Sequence, residues 1–419
     1  MEEHQHQCAF CDGADLAPII DFGNVGLAGS FLRNDELATE KKYRLRLVFC
    51  RVCFAVQVLD KIPRSFFFDR YFYFSSSIQT LKLHFKNLAT DLIQRFLPLK
   101  KGVVLEIGCN DGVLLKPIAD LGVSTVIGVD PAKNVISTID DQRITVVNDY
   151  FDEPLANNLR HRYGAADLIL ANNVFAHIED IVAVTRALKL MLNHDGVFVF
   201  EVHYLGNIID NNQYDMIYHE HIYYYSVLSL RSHFIRHGLR LFDLEHIQTH
   251  GGSIRVFVCK DTSRHLEYNS PELCQVIAKE LNQGYDSELI FRGFSQRIGE
   301  LRLQLMRLLK DLKSRGKVIA GYGASGRANT ILQFCEIDNR LLDYMIDDGP
   351  AKHGFYTPGS HLEIKSSDIL DSCQRPDVVV IFAWPFKTEI INKNSNFLET
   401  GGSFVVPLPE IEVIDRWGS

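Results

Sequence analysis

Between residues 103 and 201 the chain carries five short apolar runs, at 103–107, 125–129, 144–147, 167–171 and 196–201, separated by stretches of helical period. Each run is too short for a helix, and the last follows the turn Asn193-His194-Asp195-Gly196. Strands alternating with helices predict a parallel, doubly wound sheet. Ahead of them, residues 80–96 place apolar side chains at helical spacing and predict a helix leading into the sheet. Residues 263–313 are charged and mostly helical in pattern, with few turn signals, and read as a link between two halves. The alternation then restarts, with strands expected from 317, at 344–348, at 377–382 and at 403–406. Residues 1 to about 60 read as a small separate module with short strands such as 43–49.

Chemistry concentrates where these strands end. The first run leads into Glu106-Ile107-Gly108-Cys109-Asn110-Asp111-Gly112, a Glu-x-Gly-x-x-x-Gly turn that opens a helix. Glycines there let backbone amides approach a ligand that side chains would obstruct. Asp130 ends the next run, where a carboxylate accepts both hydroxyls of a ribose, so the pair marks a nucleoside site. Ligands of such sheets lie at the carboxyl ends of the strands, which also places Asp149 and Asn172 there. Farther on, Gly321-Tyr322-Gly323-Ala324-Ser325-Gly326 is a Gly-x-Gly-x-x-Gly turn, and Asp347 and Asp348 end the following strand. This dinucleotide fingerprint holds either NAD or the pyrophosphate of another nucleotide on a helix N-terminus.

Four of the nine cysteines form two Cys-x-x-Cys knuckles, Cys8 with Cys11 and Cys50 with Cys53. Each knuckle points two thiolates at one ion, and together they complete a closed tetrahedral zinc site with no position left for water or substrate. The zinc is therefore expected to be structural. The net charge of −8 argues against duplex nucleic acid as the main partner, because neutralising phosphates needs surplus Lys and Arg. The first residues, Met1-Glu2-Glu3-His4-Gln5-His6, are no secretory signal, and no apolar run is long enough to span a bilayer. A cytoplasmic, monomeric enzyme without nucleic-acid or membrane partner is the expectation.

One segment, from Tyr214 to Ser226, gathers two histidines, two acids and five tyrosines. No third ligand at helical spacing completes a known zinc-hydrolase motif around His219 and His221. An acid–base reading fits better, since a histidine titrates near neutrality and a neighbouring carboxylate orients it. Upstream, Tyr71-Phe72-Tyr73-Phe74-Ser75-Ser76-Ser77 is a second aromatic and hydroxyl cluster, placed to act as a lid.

The turn at Gly108 and its distance to Asp130 resemble S-adenosylmethionine-dependent methyltransferases. The full succession of motifs is more specific. Two cysteine knuckles, Tyr71 to Ser76, Glu106 to Gly112, Ala171-Asn172-Asn173 with His177-Ile178, Tyr204-Leu205-Gly206, Tyr218 to His221, His250-Gly251-Gly252 and Gly321 to Ala324 follow in an order that resembles the sugar 3-C-methyltransferases over nearly the whole chain. These enzymes make branched-chain deoxysugars from nucleotide-linked 4-keto-6-deoxyhexoses. The resemblance implies an α/β protein of three parts: a zinc-binding module over 1–70, a Rossmann-like S-adenosylmethionine-binding domain over 71–262, and a helical linker with a second Rossmann-like domain over 263–419. Within it Glu106, Gly108, Asn110 and Gly112 meet the cofactor, Asp130 takes the ribose, and Asp149 and Asn172 lie near the adenosine. The catalytic motif matches Tyr218, Glu220 and His221, with Tyr73 on the lid. The second Rossmann-like domain helps hold the nucleotide sugar without needing NAD, and Tyr204, Tyr322, Gly323, Ser325 and Arg327 are the expected substrate contacts. Two departures stand out: Val202-His203 replaces an expected Asp-Pro, and His219 stands where an acid is usual.

Carbonyl chemistry then assigns roles. Removing the hydrogen beside a ketone gives an enolate whose carbon is the nucleophile a methyl sulfonium requires. His221 is expected to be the base at C3, held by Glu220, with Tyr218 or Tyr73 donating to the enolate oxygen. An NAD-dependent sugar oxidoreductase would use the second glycine turn but leaves Glu106 and Asp130 without a task. A zinc-ribbon adaptor explains the cysteines and not Tyr218 to His221. An O- or N-methyltransferase differs in the atom that receives the methyl group.

Overall fold

The computed structural model describes residues 7–63, 74–77, 79–268 and 270–416 of the 419-residue chain. Three sheets organise it. The first is antiparallel, in the order β1 (Leu16–Val25), β2 (Tyr43–Cys50), β3 (Val56–Val58) and β9 (Tyr223–Tyr224). Leu16 pairs with Cys50 across β1 and β2, so this register brings the knuckle before β1 beside the knuckle after β2. The edge strand β9 comes from the Tyr214 to Ser226 segment, and Val56 pairs with Tyr224.

The second sheet has the order β10-β11-β8-β7-β4-β5-β6, with β4 (Val103–Ile107), β5 (Thr125–Val129), β6 (Ile144–Val147), β7 (Ala166–Asn172), β8 (Leu192–His203), β10 (Leu239–Ile247) and β11 (Ser253–Lys260). Strands β4 to β8 are parallel, and β11 runs antiparallel between β8 and β10. Both faces of β4 are buried: Val103, Leu105 and Ile107 join one core and Val104 the other. That double burial is why its sequence is continuously apolar rather than alternating. The helix Gln79–Phe96 buries Leu81, Phe85, Leu88, Ala89, Leu92 and Ile93 against the second face. The chain leaves β4 for β5 and β6, then returns to β7 on the other side, so the topological switch lies between β4 and β7.

The third sheet, in the order β14-β13-β12-β15-β16-β17, comprises β12 (Ile319–Tyr322), β13 (Tyr344–Asp347), β14 (Ile364–Ser366), β15 (Val378–Ile381), β16 (Ser403–Val406) and the antiparallel β17 (Glu412–Ile414). The expected helical link is two helices, Pro271–Gln283 and Leu289–Ser314. The second of them does more than connect. Its Phe291, Phe294, Ile298, Leu301, Leu305 and Leu309 share one core with Ala17, Leu47 and Phe49 of the first sheet and with Ile319 and Val378 of the third. The first module, which reads in sequence as a small separate unit, shares its apolar core with the second half of the chain. Among the described residues no helix is long and apolar enough to cross a membrane.

Candidate active site

The four sulfurs of Cys8, Cys11, Cys50 and Cys53 lie within 4.8 Å of one another. Cys8 and Cys53 are 3.5 Å apart and Cys11 and Cys50 3.6 Å. A tetrahedral zinc with Zn–S bonds of about 2.3 Å requires sulfur separations of ~3.8 Å, so the four thiolates are gathered closely enough to hold that ion.

The first glycine turn follows β4 and is built from left-handed residues: Gly108 at φ 69°, Asn110 at 49° and Gly112 at 74°. A side chain on Gly108 would collide with Val174, and Asn tolerates the left-handed region better than other non-glycine residues. Asp130 accepts from the backbone of Asn110 at 3.0 Å and of Ala132 at 2.8 Å, so it also holds the turn in shape. Around it, one oxygen each of Glu106, Asp111 and Asn173, and both amide atoms of Asn172, are buried without a hydrogen-bond partner among the described residues. An unpartnered buried polar group costs about 1–3 kcal/mol, so such a ring at the carboxyl ends of β4 and β7 is the mark of a ligand site. Burial pushes the Glu106 carboxyl well above its ordinary range and Asp130 upward as well. Asp149 is exposed beyond β6, two strands away. The backbone amides of Ser75 and Ser76 donate to Asn110 and Asp111 at 2.9 and 3.0 Å, which lays the end of the expected lid on the turn. Tyr73 lies outside the described residues.

The second constellation is fixed from three sides. Ile222 donates its amide to Ala176 beyond β7 and accepts from Val58 of β3, while Thr330 of the helix Gly326–Phe334 donates to Ile217. Within this clamp the Nδ1–H of His221 donates to the Met216 carbonyl at 2.9 Å. That fixes the tautomer and leaves Nε2 as acceptor for the Tyr218 hydroxyl, also at 2.9 Å. Glu220 does not take the orienting part expected of it. Its Oε1 accepts from the Gly29 amide at 3.3 Å, and its Oε2 is buried without a partner among the described residues. Burial pushes its carboxyl up to about 7. His219 turns away, donating through Nε2 to the Arg44 carbonyl at 3.0 Å, and docks the segment on the first module.

The second glycine turn lies against this cluster. A side chain on Gly326 would meet the Tyr218 ring at 3.7 Å, so the N-terminus of the helix Gly326–Phe334, capped by Ser325, faces the acid–base pair. Gly323 has φ 93°, and a side chain there would collide with Ala383. Arg327 donates through Nε to Asp215 at 2.7 Å, and Trp384 donates its indole N–H to the same oxygen at 2.9 Å. Lys352 bridges the Ala324 carbonyl at 2.7 Å and Asp347 at 3.1 Å.

Two expected substrate residues are not brought here. Tyr204 is 1% exposed, packed edge-on against His246, because its position at the start of the helix Leu205–Asp210 turns the ring into the core. Tyr322 is buried on the far side of the third sheet with Tyr344 and Phe404, its hydroxyl donating to Asp348 at 2.9 Å.

Three family models match this chain: "Putative zinc binding domain" over residues 8–68, "Methyltransferase domain" over 82–244 and "C-methyltransferase C-terminal domain" over 248–409. The C-methyltransferase NovU of Streptomyces niveus is 32% identical over 409 residues, covering 97% of this chain and 96% of its own length. The chain belongs to this C-methyltransferase family. It is an S-adenosylmethionine-dependent methyltransferase carrying a zinc module. The ubiquinone biosynthesis O-methyltransferase of Azorhizobium caulinodans is 33% identical over 106 residues, 24% of this chain and 40% of its own. Among solved structures, the magnesium protoporphyrin IX methyltransferase ChlM of Synechocystis PCC 6803 with bound SAH has a TM-score of 0.34 at 13% identity, covering 43% of this chain and 83% of that one.

In this C-methyltransferase the unpartnered atoms of Glu106, Asp111 and Asn172 suit S-adenosylmethionine, whose ammonium, sulfonium and hydroxyls complement acidic and amide groups. Two further histidines of the C-methyltransferase stand beside the base candidate. The His177 ring centre is 4.9 Å and that of His203 5.5 Å from His221. His177 donates through Nδ1 to the Glu220 carbonyl at 2.6 Å, and burial lowers its pKa. The sequence marks both, His177 within the Ala171 to Ile178 motif and His203 in the Val202-His203 departure, but gives neither a place beside His221, which follows only from the ends of β7 and β8 meeting this segment.

Proposed function

We propose that this enzyme transfers a methyl group to C3 of a nucleotide-linked 4-keto-6-deoxyhexose. The observation that carries the reading is the Tyr218–His221 hydrogen bond beside the N-terminus of the helix Gly326–Phe334. A proton-transfer pair thus stands next to a site suited to phosphate. When bound, S-adenosylmethionine supplies an electrophilic methyl on a positively charged sulfur. His221, its Nδ1 proton fixed on Met216, takes the C3 hydrogen as a proton on Nε2, and the bonding pair passes into the enolate. Tyr218 shifts its hydroxyl from Nε2 to the developing oxyanion, which frees the base at the step that needs it. Glu220, held on the Gly29 amide with its carboxyl raised by burial, remains partly protonated near neutrality.

The same reading gives the second glycine turn to the substrate's pyrophosphate rather than to NAD. What supports this is Lys352: its ammonium lies between Asp347 and the Ala324 carbonyl, where a dinucleotide's ribose would need that carboxylate. Gly323, Ser325 and Arg327 are the proposed contacts. The test is incubation with carbon-labelled S-adenosylmethionine and a panel of nucleotide-linked 4-keto-6-deoxyhexoses, with product connectivity read by NMR. A new carbon–carbon bond at C3 is expected. A methyl on oxygen or nitrogen, or reduction by NADH without methyl uptake, overturns the reading.

A further inference from the structure

We propose that Asp215 is a positioning residue through which the third module sets the tautomer of His221. Asp215 is 0% exposed, and its Oδ2 receives both the Arg327 Nε–H at 2.7 Å and the Trp384 indole N–H at 2.9 Å. Both donors belong to the third module: Arg327 opens the helix Gly326–Phe334, and Trp384 follows β15, with the guanidinium 5.1 Å above the indole ring. The next residue, Met216, carries the carbonyl that accepts from His221 Nδ1 at 2.9 Å and from the Tyr224 hydroxyl at 3.2 Å. A peptide carbonyl can hold one imidazole tautomer only if it is itself held, and here the anchor is the preceding carboxylate.

The clasp is incomplete in a way that points towards substrate. Asp215 Oδ1 and Arg327 Nη2 are both buried without a partner among the described residues. A guanidinium with one N–H committed to a carboxylate and another unclaimed has the geometry to accept an anionic oxygen as well. Under the nucleotide-sugar reading, on which this inference rests, a phosphate oxygen on Arg327 would tighten the clasp, and the base would be held best when substrate is present. Asp215 touches no reacting atom. It acts through the Met216 carbonyl.

The experiment compares Asp215→Asn, Trp384→Phe and His221→Asn in the full-length, zinc-loaded enzyme. Loss of the carboxylate charge should lower kcat by roughly 10- to 100-fold, while the Kd for S-adenosylmethionine changes by less than about threefold and KM for the nucleotide sugar, whose phosphate shares Arg327 with Asp215, rises by a smaller factor than kcat falls. The nitrogen-15 shifts of the His221 ring, assigned by their loss in His221→Asn, should move from the Nδ1–H tautomer to a mixture. Trp384→Phe, which removes one donor and keeps a ring, should show the same tautomer shift with a smaller fall in kcat, and serves if Asp215→Asn does not fold. An unchanged tautomer and kcat in a folded Asp215→Asn overturns the inference. So does a loss of S-adenosylmethionine affinity in step with kcat, the pattern of a merely structural role. If His221→Asn still methylates, it is the base assignment that has failed, and the Asp215 spectra still report whether the tautomer is set through the clasp.

Discussion

The Tyr218 hydroxyl donates to Nε2 of His221 at 2.9 Å, so the two side chains share one hydrogen bond at the nitrogen that must be vacant for proton abstraction. His221→Asn should therefore lose methyl transfer by about two to four powers of ten and also stop exchange of the substrate C3 hydrogen with deuterated water. Tyr218→Phe leaves the base unblocked but removes the oxyanion donor, at a cost of about 10²–10³ in kcat. Exchange measured by mass spectrometry separates them: persistence of exchange in Tyr218→Phe and its absence in His221→Asn is the expected pair.

Asp130→Ala should weaken S-adenosylmethionine binding by roughly 2–3 kcal/mol, read by calorimetry. Because Asp130 also accepts from Asn110 and Ala132, thermal stability should fall together with affinity. Asp130→Asn, which keeps one acceptor oxygen, should recover part of the stability and little of the binding. Full affinity in either variant would remove the ribose role.

Glu220 links the site to stability through pH. Its carboxyl is raised from 4.5 to about 7 in the folded protein, so the folded state binds the proton more tightly than the unfolded chain. That stabilisation is complete below about pH 4.5 and is lost as pH rises towards 7. Glu220→Gln cannot ionise, so its stability relative to the parent should rise by on the order of 1–3 kcal/mol between those limits and level off above. Denaturant melts at pH 5 and pH 8 check the sign.

Removing zinc should lower the melting temperature and also slow catalysis. The four thiolates tie the end of β2 and the turn into β3 to the segment before β1, and β3 in the same sheet pairs with β9, which begins two residues after His221. Chelation should raise amide exchange in both β3 and β9. The shared core with the helix Leu289–Ser314 should keep the rest of the first sheet protected. Unchanged exchange in β9 after metal loss would break this connection.

Lys352→Ala opens the space between Ala324 and Asp347. The parent should show no saturable NADH binding that a nucleotide sugar fails to displace, and the variant should gain measurable NADH affinity if the lysine is what bars the dinucleotide. Fluorescence titration of NADH against both proteins decides it.

Much of this arrangement was legible in the chain because local rules carry it. The parallel strands read as buried apolar runs since both faces of β4 are covered, and the cysteine spacing is dictated by tetrahedral geometry. Strands β10 and β11 form a local hairpin, with Ile247 opposite Ser253, which the strand–helix alternation does not announce, and its attachment to the sheet through Ser253 and His203 depends on a neighbour fifty residues away. Tyr204 and Tyr322 were misplaced for a related reason: motif position gives the backbone location but not which face the ring takes. Glu220 stands next to His221 in sequence yet points to Gly29, because the tight turn from Tyr218 to His221 sends successive side chains in different directions.

The shared core of the first and third sheets also governs how the protein is made. Gly26 donates its amide to Gln333 at 2.6 Å, and Ala28 accepts from Asn329 at 2.6 Å, across some three hundred residues. At a synthesis rate of about 5–20 residues per second, the strands β1 and β2 wait ~15–60 s on the ribosome before the helix that covers them emerges. During that interval they expose Leu47, Phe49 and an unpaired edge. Nascent chains of this enzyme should therefore depend on holdase chaperones until the last third has left the exit tunnel, and C-terminal truncations should be recovered in inclusion bodies.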